Sequence, residues 1–443
     1  MRRLLSLLAV ALFLTATTAA QASPPPQPPD IVALDLRAAF AHALADNRLI
    51  RAAASGVAAA RADRRVAFSY LLPRISAGGS ASEHDREVTF KLSEDTSLTI
   101  LPRYDWSAQV VATQPLFAGL RDVRFYQQAG AMIDGAEAGL AGARDQVLMQ
   151  VASEYLSLVE TEALIDVERR SLDLAHKRRE QAQDFFDAGE VTRVDVLRAD
   201  TAIAAAQSRL IAAEQTRQTA LGRLRVLLAI DSDVAVTEPS ELGLPPLPAE
   251  AELLGRATEA RADLRQAEVN ARVAALETSK QRGAVWPTLS AEAGYIQQKT
   301  PFPTDRYAYV MLRADAALFR GGEVKARVSA AREREHQAQL VAEQQRRQVS
   351  EDVRTSLKTL ELARAANVLA REGLAAAEAE YAQAFDLYKN QEITSVELET
   401  SENALASARR TAVTSRLGER KTELAAWFAA GSLRQVVMGE GLK

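Results

Sequence analysis

Glu190-Val191-Thr192-Arg193-Val194-Asp195-Val196 recurs 202 residues later as Glu392-Ile393-Thr394-Ser395-Val396-Glu397-Leu398. The same offset carries Leu116-Phe117 onto Leu318-Phe319, each pair followed by glycine, and Val151, Leu158 and Leu172 onto Val353, Leu360 and Leu374. Upstream, Leu72-Pro73-Arg74-Ile75-Ser76 pairs with Trp286-Pro287-Thr288-Leu289-Ser290 at an offset of 214, so the loop of the first copy is the longer one. A constant offset held over so much chain marks an internal duplication.

Working outward from these turns, the flanking segments read as helix. No proline stands between Pro115 and Pro239 or after Pro303, and the stretches are rich in Ala, Leu, Glu, Gln and Arg. Val151, Leu158, Ile165 and Leu172 fall at seven-residue spacing, the seam of helices that pack side by side. The reading from Gly119 to Asp187 is nearly unbroken, about 100 Å of helix at 1.5 Å per residue. Such length suits a coiled coil or the wall of a tunnel.

Between proline and the Leu-Phe pair the period changes to two. Trp106, Ala108, Val110 and Ala112 alternate with Ser107, Gln109, Val111 and Thr113; in the second copy Ala308, Val310, Leu312 and Ala314 alternate with Tyr309, Met311, Arg313 and Asp315. The entering strands place Ile75, Ala77, Gly79 and Ala81, and Leu289, Ala291, Ala293 and Tyr295, on one face. Each copy offers a strand pair of bilayer-spanning length, with Tyr104, Trp106, Trp286, Tyr295 and Tyr307 near strand ends. Two soluble hairpins with one buried face would show the same alternation. Four strands cannot close a barrel, and an open edge is not tolerated in lipid, so membrane strands here require several chains per barrel.

Composition narrows the function. Of 443 residues, 54 are Lys or Arg and 58 Asp or Glu, a balance that gives no electrostatic case for nucleic acid. With no cysteine there is no disulfide, thiolate metal site, thiol catalysis or lipidated N-terminal cysteine. Arg2-Arg3, the apolar run Leu4 to Leu14 and Ala20-Gln21-Ala22 read as a secretory signal over 1–22. Its removal takes the net charge from −4 to about −6. The four histidines (His42, His84, His176 and His336) are scattered, and no zinc, nucleotide or serine-hydrolase motif occurs. No enzyme, cofactor or metal is expected.

The domain division expected is a signal peptide at 1–22 and a Pro-rich arm at 23–30. Repeat 1 follows at 31–230, with a strand pair about 74–115 and a long helical hairpin. A linker or equatorial segment occupies 231–250, and repeat 2 lies at 251–430 with a strand pair about 288–317. A tail at 431–443 ends the chain.

Leu34-Asp35-Leu36-Arg37-Ala38-Ala39-Phe40 with Asp46-Asn47, Leu71-Leu72-Pro73, Gln114-Pro115-Leu116-Phe117-Ala118-Gly119 and Ala188-Gly189-Glu190-Val191-Thr192-Arg193-Val194-Asp195-Val196-Leu197, in this order and duplicated, resemble the TolC-like outer-membrane efflux protein family over roughly residues 31 to 430. The resemblance implies a mainly α fold with a membrane β-barrel portion. Two tandem repeats would build an α-helical tunnel, and four strands per chain would enter a twelve-stranded barrel shared by a homotrimer. It also implies an exit duct of tripartite efflux or type I secretion, set in the outer membrane of a Gram-negative bacterium with its helices in the periplasm. The implied partners are outer-membrane lipid, a periplasmic adaptor (membrane fusion) protein and an inner-membrane pump of RND, MFS or ABC type. A periplasmic coiled-coil adaptor or scaffold is the alternative, but it would show one helical hairpin flanked by β-rich segments rather than two full copies.

Thr192-x-x-Asp195 and Thr394-x-x-Glu397 read as capping boxes, so Asp195 and Glu397 cap helices in the blander account. By the resemblance these turns form the periplasmic tip. Gly189, Val191, Thr192, Val194, Ile393, Thr394 and Val396 would then make the adaptor-docking surface, with Asp195 and Glu397 at the aperture. Thr400 stands where some members carry a second acid. Asn390-Gln391 replace the second glycine, and Asn390 is the residue expected to tolerate a left-handed backbone.

Overall fold

The computed structural model describes residues 32–91, 97–232, 234–238, 244–299 and 304–439; the signal peptide, the Pro-rich arm and Pro239 lie outside them. In chain order the elements are β1 (Val32–Leu34), α1 (Leu36–Asp46), α2 (Arg48–Ser69), β2 (Arg74–Glu83), β3 (Val88–Lys91), β4 (Ser97–Leu101), β5 (Tyr104–Phe117), α3 (Arg121–Asp187), α4 (Arg193–Leu228), β6 (Val234–Val236), α5 (Glu250–Ala260), α6 (Ala262–Arg282), β7 (Thr288–Gln298), β8 (Arg306–Asp315), α7 (Glu323–Lys389), α8 (Ser395–Ala429) and α9 (Leu433–Met438).

The proline-free stretches become α3 and α7, each 67 residues and about 100 Å long. The heptad positions Val151, Leu158 and Ile165 are buried along α3, as are Val353 and Leu360 along α7. Each long helix folds back on a shorter one, α3 with α4 and α7 with α8. No described helix is long and apolar enough to cross a membrane.

The core lies where both repeats meet, away from sheet and turns. Trp427, Tyr155, Phe40, Leu148, Leu224, Leu253 and Leu264 are buried there together. The short parallel pair β1–β6 closes one side. The Tyr155 hydroxyl sits 2.9 Å from the Leu34 carbonyl and 2.8 Å from that of Thr237, pinning both strands to α3.

At one end the helices give way to an antiparallel sheet ordered β2-β5-β7-β8. Its registers put the alternating apolar sets of all four strands on one face: Ala77 faces Val110, Val110 faces Tyr295, Ala293 faces Val310, and Ala291 faces Leu312. The other face carries Glu292, Arg313 and Thr113, and the Tyr309 ring lies over Gly294 with its hydroxyl donating to Glu292. The helices join at the Arg74–Phe117 end, and the hairpin loops lie at the other, near Tyr104, Trp106 and Tyr307. The longer first loop holds an additional hairpin, β3–β4, that the sequence reading did not anticipate. Neither β2 nor β8 has a strand on its outer side among the described residues.

Candidate functional site

The two repeated turns lie at the far end of the helices from the sheet. α3 ends at Asp187, and Gly189 (φ +79°) takes the left-handed conformation that lets its N–H reach the Phe186 carbonyl (2.9 Å) and that of Glu190 reach the Phe185 carbonyl (2.8 Å). No atom outside the turn stands within 4 Å of where a Cβ on Gly189 would lie.

The second turn corrects one expectation. Asn390 keeps φ −85°, and it is Gln391, at φ +61°, that adopts the left-handed state. Position within the helix-end hydrogen-bond pattern decides this: the N–H groups of Gln391 and Glu392 bond the Tyr388 and Leu387 carbonyls, matching Gly189 and Glu190 bond for bond. For a non-glycine residue the conformation costs about 1–2 kcal/mol. The Gln391 side chain, held outward by this backbone, donates to the Glu190 carboxylate of the first turn.

Both turns then open into capping boxes. In the first, the Asp195 carboxylate accepts the Thr192 N–H (3.2 Å) and hydroxyl (2.9 Å). In the second, Glu397 accepts the Thr394 N–H (2.8 Å) and hydroxyl (2.9 Å), and its own N–H donates to the Thr394 hydroxyl oxygen (3.3 Å). These bonds to the charged form lower the pKa of both acids. For Glu397 the backbone N–H of Thr394 contributes most. For Asp195 the largest cause is the Ser395 hydroxyl, which donates across from the other turn at 2.8 Å.

Asp195 therefore does more than cap a helix, because it also ties the two turns together. Further contacts repeat the tie deeper in the bundle. The Phe185 and Tyr388 rings meet edge-on, 5.8 Å apart. Arg178, 5% exposed, pairs with Glu402 at 2.9 Å and Glu399 at 3.8 Å. Burial outweighs the Arg178 charge and pushes the Glu402 carboxyl up to about 7. Beyond it, Glu168 receives both Arg209 (3.2 Å) and Arg410 (2.8 Å), and Lys421 reaches Glu160 (2.7 Å). An ionic ladder thus binds α8 to α3.

Of the residues predicted for the docking surface, Val194 (53%) and Val396 (48%) are the exposed apolar pair at the two helix starts. Gly189, Thr192 and Thr394 are exposed as well, while Val191 and Ile393 are half-buried. All seven lie at one end of the molecule, on two turns joined by Asp195–Ser395 and Gln391–Glu190. Sequence reasoning missed Arg178, Glu402, Tyr388 and Ser395. Only Ser395 and Tyr388 could have been flagged, as neighbours of the repeated turn; Arg178 and Glu402 are 224 residues apart and no local pattern links them.

Comparison with known proteins agrees with this architecture. The chain is 23% identical over 269 residues to the outer membrane efflux protein BepC of Brucella suis biovar 1 (strain 1330), an alignment that takes in 60% of this chain and 59% of the relative. Its fold matches CusC with a TM-score of 0.79 at 17% identity, covering 92% of this chain and 98% of the other. It also matches the CmeC outer membrane channel of Campylobacter jejuni (0.78, 14% identity, 90% and 86%) and VceC of Vibrio cholerae (0.76, 18%, 89% and 96%). The sequence profile of the family described as Outer membrane efflux protein matches residues 40–229 and 253–426, most of both repeats, and the chain belongs to that family.

Proposed function

We propose that the chain is one subunit of a homotrimeric outer-membrane channel, the passive exit duct of a tripartite efflux or type I secretion system. The observation that carries this reading is the sheet: four strands with one shared apolar face, both outer edges unpaired among the described residues, continuous with helices about 100 Å long. Three copies would supply the twelve strands of a closed barrel, and the helices would continue it through the periplasm as a tunnel. Family membership supports association with a periplasmic adaptor and an inner-membrane pump. The pump would be of the RND, MFS or ABC class.

The seven-residue surface at the helical end is the adaptor-docking face in this reading, with Asp195 and Glu397 near the aperture. Val194 and Val396 offer exposed apolar contact in the first turns of helices that a capping box opens, a rigid platform on which a partner can pack. Val194→Glu with Val396→Glu should abolish resistance to dyes, detergents and antibiotics in a strain dependent on this gene. Trimers should still be recovered from outer membranes washed in high salt. Normal export by that variant would refute the docking face; recovery of the protein in the soluble wash would refute the channel.

A further inference from the structure

The strand registers contain a repeat of their own. Every one of the ten residue pairs joining β2 to β5 maps onto a pair joining β7 to β8 when β2 is shifted by 214 and β5 by 202; Ala77–Val110 becomes Ala291–Leu312, and Ile75–Ala112 becomes Leu289–Ala314. The two hairpins are therefore equivalent in three dimensions, residue for residue. Their junction, β5 against β7, shows how one hairpin docks on another: Val110 faces Tyr295, Ala112 faces Ala293, Gln114 faces Ala291, and after a bulge Phe117 faces Leu289.

The same docking has no partner at the outer edge of β8, and the chain there shows what is missing. β5 runs on to Phe117 because β7 supports it, whereas β8 stops at Asp315 and the equivalent residues 316–319 are irregular. Leu318 is 97% exposed and Phe319 88%, against 51% and 40% for their counterparts Leu116 and Phe117. On the opposite edge Ile75 is 76% exposed, against 38% for Leu289, its counterpart on β7. Apolar side chains bare in water, and unpaired edge N–H and C=O groups in lipid, are both costly, and the junction inside the chain states how they are covered.

Resting on the trimer reading above, we propose that β8 of one copy pairs with β2 of the next in the register Leu312–Ala81, Arg313–Ser80, Ala314–Gly79 and Ala316–Ala77. The pairing extends β8 through Phe319, which closes on Ile75 of the next copy. Face parity supports it independently. In this register Leu312 and Ala314 continue the apolar face of the neighbouring sheet while Arg313 and Asp315 continue the polar one; a slip of one residue would turn both charges into the apolar face. Slips of two keep parity, but they depart from the docking that β5 and β7 display.

The chain has no cysteine, so introduced pairs are its only thiols. Leu312→Cys with Ala81→Cys and Arg313→Cys with Ser80→Cys test the register from opposite faces, one of which has the closer side-chain spacing. Leu312→Cys with Gly79→Cys and Arg313→Cys with Gly78→Cys test the two-residue slip. β2 and β8 are opposite edges of one sheet, so disulfides must form between copies. Oxidation in outer membranes should convert an in-register variant to covalent trimers on denaturing gels and leave the slipped variants monomeric. Slipped pairs that link while in-register pairs do not, in protein trimeric by native sizing, would overturn the register and leave the channel reading standing. A wild type monomeric in detergent would remove both. In the unmodified trimer, the amides of residues 316–319 should resist hydrogen exchange like those of Gln114–Phe117; loop-like exchange there would refute the extension of β8.

Discussion

Glu402 is the residue at which burial and charge oppose each other most openly. Its carboxyl titrates near 7 in the folded chain against an ordinary 4.5, so the folded state binds the proton more tightly than the unfolded one. Its contribution to stability is then present below pH about 4.5 and is lost as pH rises through about 7. Thermal melts of the wild type should show about 1–3 kcal/mol of relative stability lost across that window. Glu402→Gln, which mimics the protonated acid, should flatten the upper part of the profile and leave the part due to Asp145, whose carboxyl burial raises to about 6; an unchanged slope would place the titrating group elsewhere. Glu397 differs in kind, because it is exposed and held charged by Thr394. Single-channel recordings of Glu397→Ala should show altered conductance or cation preference if this carboxylate faces the aperture, and identical traces would remove it from that role.

At the scale of elements, two glycines of similar backbone geometry have different reasons to be glycine. Gly119 (φ +65°) ends β5 against the end of α6, and a Cβ there would lie 2.1 Å from the Gly283 carbonyl oxygen. Backbone meets backbone, so Gly119→Ala should force sheet and helices apart and prevent recovery of assembled protein. Gly189 has open space around it, and Gly189→Ala should cost only the strain of the left-handed state, about 1 kcal/mol, with trimers retained. Equal recovery of the two variants would contradict this difference. The contrast also shows where sequence reading reached. The long helices and paired strands were legible because absence of proline and a period of two are local properties. The β3–β4 hairpin was not, since its few residues pair mainly with each other and lack a sustained pattern. The left-handed Gln391 ran against residue preference, and the 202-residue offset was the better guide. The Arg178–Glu402 pair depends on tertiary contact alone.

For the whole molecule the decisive property is that one sheet has two unlike faces. Val110 and Val111 are adjacent, identical in type and opposite in direction. Val110 lies between Ala77 and Tyr295 on the apolar face, Val111 between Ser76 and Gly294 on the polar one. Were the sheet a soluble hairpin pair with a buried face, an arginine at Val110 would unfold it wherever the protein resides. If the apolar face meets lipid, Val110→Arg should cost about 2–4 kcal/mol at the bilayer midplane and deplete the outer-membrane trimer. Its helical portion should still fold, since the core around Trp427 and Tyr155 lies far down the bundle. Val111→Arg should assemble normally and instead alter ion selectivity, because its side chain would face the lumen. Quantifying trimer in washed outer membranes for both variants, beside circular dichroism of the purified chains, separates these outcomes. Depletion by Val111→Arg with Val110→Arg unaffected would mean that the barrel is inside out relative to the apolar face described above.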